Sequence, residues 1–222
     1  MRLIIDGLYI GVGGVTTEDD ALLSIGLGAS AVGFDFGPTP RQVSPTFARD
    51  IIRRLPQGAL TVGSFRNEMP ERVAEIANTL GLSVVQIEGS MTVSQVSWIS
   101  ERVNTVFRMV STLKAVDLVR SAPSVDYFVM PEQDEHNALV NCVDDFADEA
   151  LRVPCIASGG LSVATVVDVV QNYPVWGVEA RGGVESSPGV KDPVLLGDFI
   201  SNARWAYENS YVERNNEDFF GA

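Results

Sequence analysis

The chain has 222 residues, 45% of them hydrophobic, with 29 acidic against 16 basic side chains and a formal net charge of −13. That length and apolar content suit one sizeable core with no dividing linker, and the acidic balance argues against a nucleic-acid partner, which would select a basic face. No apolar stretch is long enough to span a bilayer, Asp6 breaks the short apolar run at the N-terminus, and Cys142 and Cys155 show neither metal nor disulfide spacing, so a reduced, soluble, cytoplasmic protein is expected.

Leu8 to Val12 is a strand-type run ended by Gly13-Gly14. Thr16 or Thr17 caps a helix whose first turn carries Glu18, Asp19 and Asp20 at the positive end of the helix dipole, and Gly26 or Gly28 ends it. Ala31 to Phe36 is apolar along nearly its whole length, as in a strand covered on both faces. Further strands are predicted at Leu60–Phe65, Ser83–Ile87, Thr105–Val110, Tyr127–Met130, Cys155–Ala157 and Gly177–Ala180. Helices are predicted at Pro45–Leu55, Pro70–Leu80, Val93–Val103, Lys114–Arg120, 140–151, Val163–Val170 and Val194–Tyr207. Eight strands alternating with helices point to an α/β fold, a TIM (β/α)8 barrel over residues 1–207, with the loops after the strands forming the reactive face. An open doubly wound sheet is the alternative, because periodicity does not count strands around a closure. Residues 208–222 form a C-terminal tail, either docked on the barrel or disordered.

The segment from Gly11 to Pro45 resembles the opening of the phosphoribosylanthranilate isomerase family, with its Glu-Asp-Ala, Gly-Phe-Val-Phe and Ser-Pro-Arg-x-Val elements. The resemblance returns at Gly159-Gly160-Leu161 and at Val184-Glu185 with Ser187-Pro188-Gly189-Val190-Lys191-Asp192. It implies a barrel catalysing an Amadori rearrangement of a phosphorylated aminosugar, with a cysteine base after the first strand and an aspartate acid after the sixth. Those positions hold Gly13 and Pro131 here, Glu88 stands where the family has His, and Glu132 to Asn137 replaces a glycine loop.

Ser158-Gly159-Gly160-Leu161 and Arg181-Gly182-Gly183-Val184 follow neighbouring strands, where backbone N–H groups commonly hold a phosphate. Gly159, Gly160, Gly182 and Gly183 are therefore the expected phosphate-binding residues, with the fork of Arg181 adding donors; tight turns are the plain alternative. Arg41 matches the family arginine that contacts the substrate's aromatic carboxylate, against a solvated loop arginine as the alternative. Asp35 and Glu88 are the candidate acid–base residues. Asp35 faces opposite to Phe34 and Phe36, into the barrel or under the helices. Glu132 and Glu179 are further rim carboxylates, and His136 lies in a polar loop without metal spacing. No cofactor and no metal are expected, and the protein is expected to be a monomer or a homodimer binding a small phosphorylated or carboxylated ligand. Three functions follow: altered sugar-phosphate chemistry on this scaffold, a genuine isomerase of tryptophan biosynthesis with relocated catalytic groups, or a barrel that binds a ligand or partner without catalysis.

Overall fold

A computed structural model describes residues 7–109, 120–131 and 154–210. Eight parallel strands close into a barrel in sequence order: β1 Tyr9–Val12, β2 Ala31–Asp35, β3 Leu60–Arg66, β4 Val84–Glu88, β5 Val106–Met109, β6 Tyr127–Pro131, β7 Cys155–Ser158 and β8 Gly177–Ala180. The ring is sealed by β1 pairing with β8, Tyr9 opposite Gly177 and Val12 opposite Ala180. This is the TIM architecture, and the open sheet is excluded.

The helices start where side chains satisfy the first free N–H groups. Thr17 caps α1 (Glu18–Gly26) and Ser44 caps α2 (Pro45–Ile52). Pro70 opens α3 (Pro70–Leu80), with Gly81 at its C-cap, and Thr92 with Gln95 forms a capping box on α4 (Val93–Ser100). Two more described helices, α5 (Val166–Asn172) and α6 (Pro193–Glu208), pack on the last strands. A short hairpin, β9 (Glu185–Ser187) and β10 (Val190–Lys191), follows β8 and was not foreseen. Helix α2 ends three residues early because Arg54 and Leu55 bond back to Ile51 and Ile52 in a tightened turn. Helix α5 starts three residues late because the Thr165 hydroxyl accepts from the Ser162 N–H. Of the helix expected over 114–120 only Arg120 is described, and it is helical; the helix expected over 140–151, with Glu132, His136, Cys142 and residues 211–222, lies outside the described residues.

Two cores divide the apolar residues. The larger lies between barrel and helices and takes Phe34, Phe36, Phe65, Phe128 and Phe199. The smaller fills the barrel: Tyr9, Ala31, Val62, Val84, Phe107, Tyr127, Val129 and Ile156, with Trp176 packed against them. Within it Tyr9 stacks on Trp176 at 5.3 Å, and Phe107 meets Tyr127 edge-on at 5.0 Å. This plug fills the lower barrel, so every inward-facing residue further along the strands belongs to the mouth.

Phe107 is fully buried against both aromatic neighbours. Phe107→Ala is expected to cost about 3–5 kcal/mol, through lost burial and the cavity left behind, measured as a lowered urea midpoint.

Candidate functional site

Strand alternation carries each interior position two residues upward into the mouth. Tyr9 leads to Gly11 and Gly13, Ala31 to Gly33 and Asp35, Val62 to Ser64 and Arg66, and Val84 to Gln86 and Glu88, while Gly177 leads to Glu179 and Arg181. Asp35 thus faces into the barrel, one of the two alternatives its sequence position left open.

Arg181 sits at the centre. Its Nη2 donates to Glu88 Oε1 at 2.5 Å and to Ser64 Oγ at 3.2 Å, and its Nε donates to Glu179 Oε1 at 3.2 Å. Nη1 lies 3.6 Å from Asp35 Oδ1. Arg66 holds the other Glu88 oxygen at 2.8 Å. The three carboxylates are buried, whereas 19% of the Arg181 side chain remains exposed at the mouth. The sequence reading places this guanidinium among the donors of the anion turns; in the structure Nε and Nη2 are spent on the barrel interior.

Gly13 makes this arrangement possible. A Cβ there would stand 2.8 Å from Arg181 Cγ and 2.9 Å from both Arg181 Nε and Glu179 Oε1. The arginine occupies the space that any side chain at position 13 would need.

A second ion group flanks the first. Arg41 grips Glu185 with two nitrogens, Nε at 2.9 Å and Nη2 at 2.6 Å, so it is a paired arginine and not a solvated one. The fully buried Lys191 ammonium donates to Glu185 Oε1 at 2.8 Å, to the Gly13 carbonyl at 2.7 Å and to the Arg181 carbonyl at 3.3 Å. Arg41 also lies beside Gly182, its Nη2 3.5 Å from where a Cβ would project.

The two glycine turns touch. A Cβ on Gly183 would come within 2.0 Å of the Leu161 carbonyl oxygen, so only glycine permits the contact. Gly159 and Gly160 have φ of 80° and 55°, a left-handed pair that any other residue would strain to adopt. Gly182 and Gly183 open a short 3₁₀ turn, whose first N–H groups have no acceptor within the turn. Successive backbone N–H groups in glycine turns of this kind are a general source of anion donors.

Burial pushes the Glu88 carboxyl up, but Arg181 and Arg66 outweigh it and hold Glu88 below the ordinary range. Burial of Glu179 is not outweighed by Arg181, and the neighbouring charges of Glu88 and Asp35 add to it, so Glu179 is raised. One arginine thus joins a carboxylate biased toward ionisation and another biased toward protonation, the division of labour that acid–base catalysis uses. Burial raises Glu185 too, yet its bonds to Arg41 and Lys191 bring it below the ordinary value.

Asp35, Glu88 and Arg181 are therefore brought together, and Arg41 stands beside the joined turns of Gly159, Gly160, Gly182 and Gly183. Sequence reasoning missed Ser64, Arg66, Glu185 and Lys191. Ser64 and Arg66 were signalled by the change from apolar to polar residues along one face of β3, Leu60 and Val62 giving way to Ser64 and Arg66, and Glu185 and Lys191 lie within the motif after β8. Among the described residues no cluster of His, Cys, Asp and Glu is arranged to hold a metal, and no helix is long and apolar enough to cross a membrane.

The family model for N-(5'-phosphoribosyl)anthranilate isomerase matches residues 11–202. The enzyme of that name from Syntrophus aciditrophicus is 35% identical over 199 residues, covering 86% of this chain and 85% of the relative, and that from Geobacter sulfurreducens is 33% identical over 194 residues, covering 86% and 96%. A crystal structure of phosphoribosylanthranilate isomerase in complex with reduced 1-(o-carboxyphenylamino)-1-deoxyribulose 5-phosphate superposes with a TM-score of 0.78 at 30% identity, covering 89% of this chain and 99% of that one. The Thermotoga maritima isomerase gives the same TM-score at 28% identity, with the same coverage.

Gly13→Cys is expected to destabilise the fold by about 1–3 kcal/mol through overpacking. Combining it with Arg181→Ser removes the part of that clash made with Arg181 and leaves the approach to Glu179, so a double-mutant cycle on urea midpoints should be non-additive. Glu88 and Glu185 titrate in the folded state below the 4.5 of free Glu, so stability present above pH 4.5 is lost as pH falls through their folded values. The raised Glu179 acts oppositely: its folded form keeps a proton that the unfolded chain releases, and stability declines as pH rises from 4.5 through its folded value. In urea midpoints against pH, Glu185→Gln should flatten the acid limb and Glu179→Gln should abolish the decline above it.

Proposed function

The chain belongs to the phosphoribosylanthranilate isomerase family, and from that membership we propose that it binds a phosphorylated sugar-type ligand at its joined glycine turns and transfers protons within it through mouth carboxylates. The observation that carries the reading is the contact of Gly183 with the Leu161 carbonyl, which merges two donor turns into one cradle beside Arg41. A relative's complex with a deoxyribulose 5-phosphate compound supports the ligand class.

An aldose–ketose rearrangement needs a base for the proton on carbon and an acid for the ring oxygen. Family chemistry draws them from a cysteine and an aspartate, at positions that here hold Gly13 and Pro131. On our reading Glu88, held below the ordinary carboxylate range, is the base and Glu179, biased toward protonation, is the acid that protonates the ring oxygen as it leaves carbon, with Arg181 positioning both carboxyls. Asp35 Oδ1 pairs with the guanidinium only across 3.6 Å, at Nη1. The altered geometry favours a substrate other than the family's.

A second reading, a genuine isomerase of tryptophan biosynthesis with relocated catalytic groups, is favoured by the 35% identity to a protein bearing that name. Expression in a bacterial strain lacking the isomerase separates them: no growth without tryptophan is expected, and growth would establish the second reading. Calorimetric titration with inorganic phosphate tests the cradle. Binding should weaken at least about tenfold in Gly183→Ala, whose methyl group forces the turns apart; undiminished binding in a folded variant would overturn the assignment.

A further inference from the structure

We propose that Asp35 and Arg181 form a subsite for one hydroxyl group of the ligand, so that this pair of residues discriminates against alkyl phosphates. The inference rests on the phosphate reading above and deepens it.

Asp35 is 2% exposed, and the Thr39 hydroxyl donates to its Oδ2 at 3.0 Å. Its Oδ1 is buried without a hydrogen-bond partner among the described residues. Leaving such an oxygen unmatched costs on the order of 1–3 kcal/mol, so it calls for a donor in the working state. The guanidinium opposite is incomplete in the complementary sense. Among the described residues Nε and Nη2 of Arg181 hold its side-chain hydrogen bonds, and Nη1 only approaches Oδ1 at 3.6 Å.

A group seated between these atoms must donate to Oδ1 and accept from Nη1. A carboxylate or phosphate accepts but cannot donate, and it faces the charge of Asp35. An ammonium donates but cannot accept, and it faces Arg181. A hydroxyl does both. Nη1 is held only by the long ion pair with Oδ1, and the Arg181 side chain is 19% exposed, so the hydroxyl enters by displacing that end. Arg181 is also the residue from which the Gly182–Gly183 turn departs, so the hydroxyl subsite and the phosphate cradle adjoin one another in the chain.

Calorimetric titration of the purified protein with ribitol 5-phosphate, n-pentyl phosphate and inorganic phosphate tests this. Ribitol 5-phosphate should bind on the order of 10–100-fold more tightly than n-pentyl phosphate, because the alkyl chain leaves both polar groups unmatched. In Asp35→Ala and Arg181→Met that advantage should fall below about threefold. Equal affinities of the two organic phosphates for the wild type would mean that water alone fills the gap, overturning the subsite while the cradle stands. So would an advantage that persists in both variants. Should either variant fail to fold, the wild-type comparison decides alone. Absence of binding by all three compounds would overturn the phosphate reading and this subsite with it.

Discussion

The mouth of this barrel depends on one guanidinium set among three carboxylates. Asp35, Glu88 and Glu179 arrive from β2, β4 and β8 because strand alternation leaves them no other direction, and unpaired they would repel one another in a poorly solvated space. Arg181 touches all three and, with Arg66 on Glu88, offsets part of that charge and fixes their spacing. Its carbonyl accepts from Lys191, which also holds Glu185, which in turn holds Arg41. Two ion groups contributed by four βα units therefore behave as one network, in which removing a member leaves buried charge behind.

The price of that network is a bare residue at position 13. A side chain there and the long cation at 181 cannot share the volume, so glycine at 13 and arginine after β8 form a single packing arrangement. The scaffold is common to the family, and its glycine turns and Arg41 loop are recognisable in the sequence.

The barrel was legible because strand and helix periods alternate cleanly and the punctuating residues lie where caps demand them: Thr17, Ser44, Thr92 and Gly81. Alternation alone could not say which side of β2 Asp35 faces, since both sides of a barrel strand are covered. Only its phase with Ala31, a member of the interior core, settles that. Arg181 was harder to place because chain proximity to Gly182 and Gly183 suggests a shared task, whereas an arginine reaches several ångströms from its own backbone and acts where its head lands. Glu185 and Lys191 were visible as motif letters, but their pairing with Arg41 and with the Gly13 carbonyl spans most of the chain and leaves no local trace.

The hairpin after β8 does more than carry Lys191. The Thr16 hydroxyl donates to the Gly189 carbonyl at 2.5 Å, the Lys191 N–H reaches Asp20, and the Lys191 ammonium reaches the Gly13 carbonyl, joining positions more than 170 residues apart. These bonds clasp the first βα unit to the last. During synthesis, β1 must wait with one hydrogen-bonding edge open until β8 has left the ribosome, so the nascent chain carries an unprotected template for intermolecular pairing through most of its production.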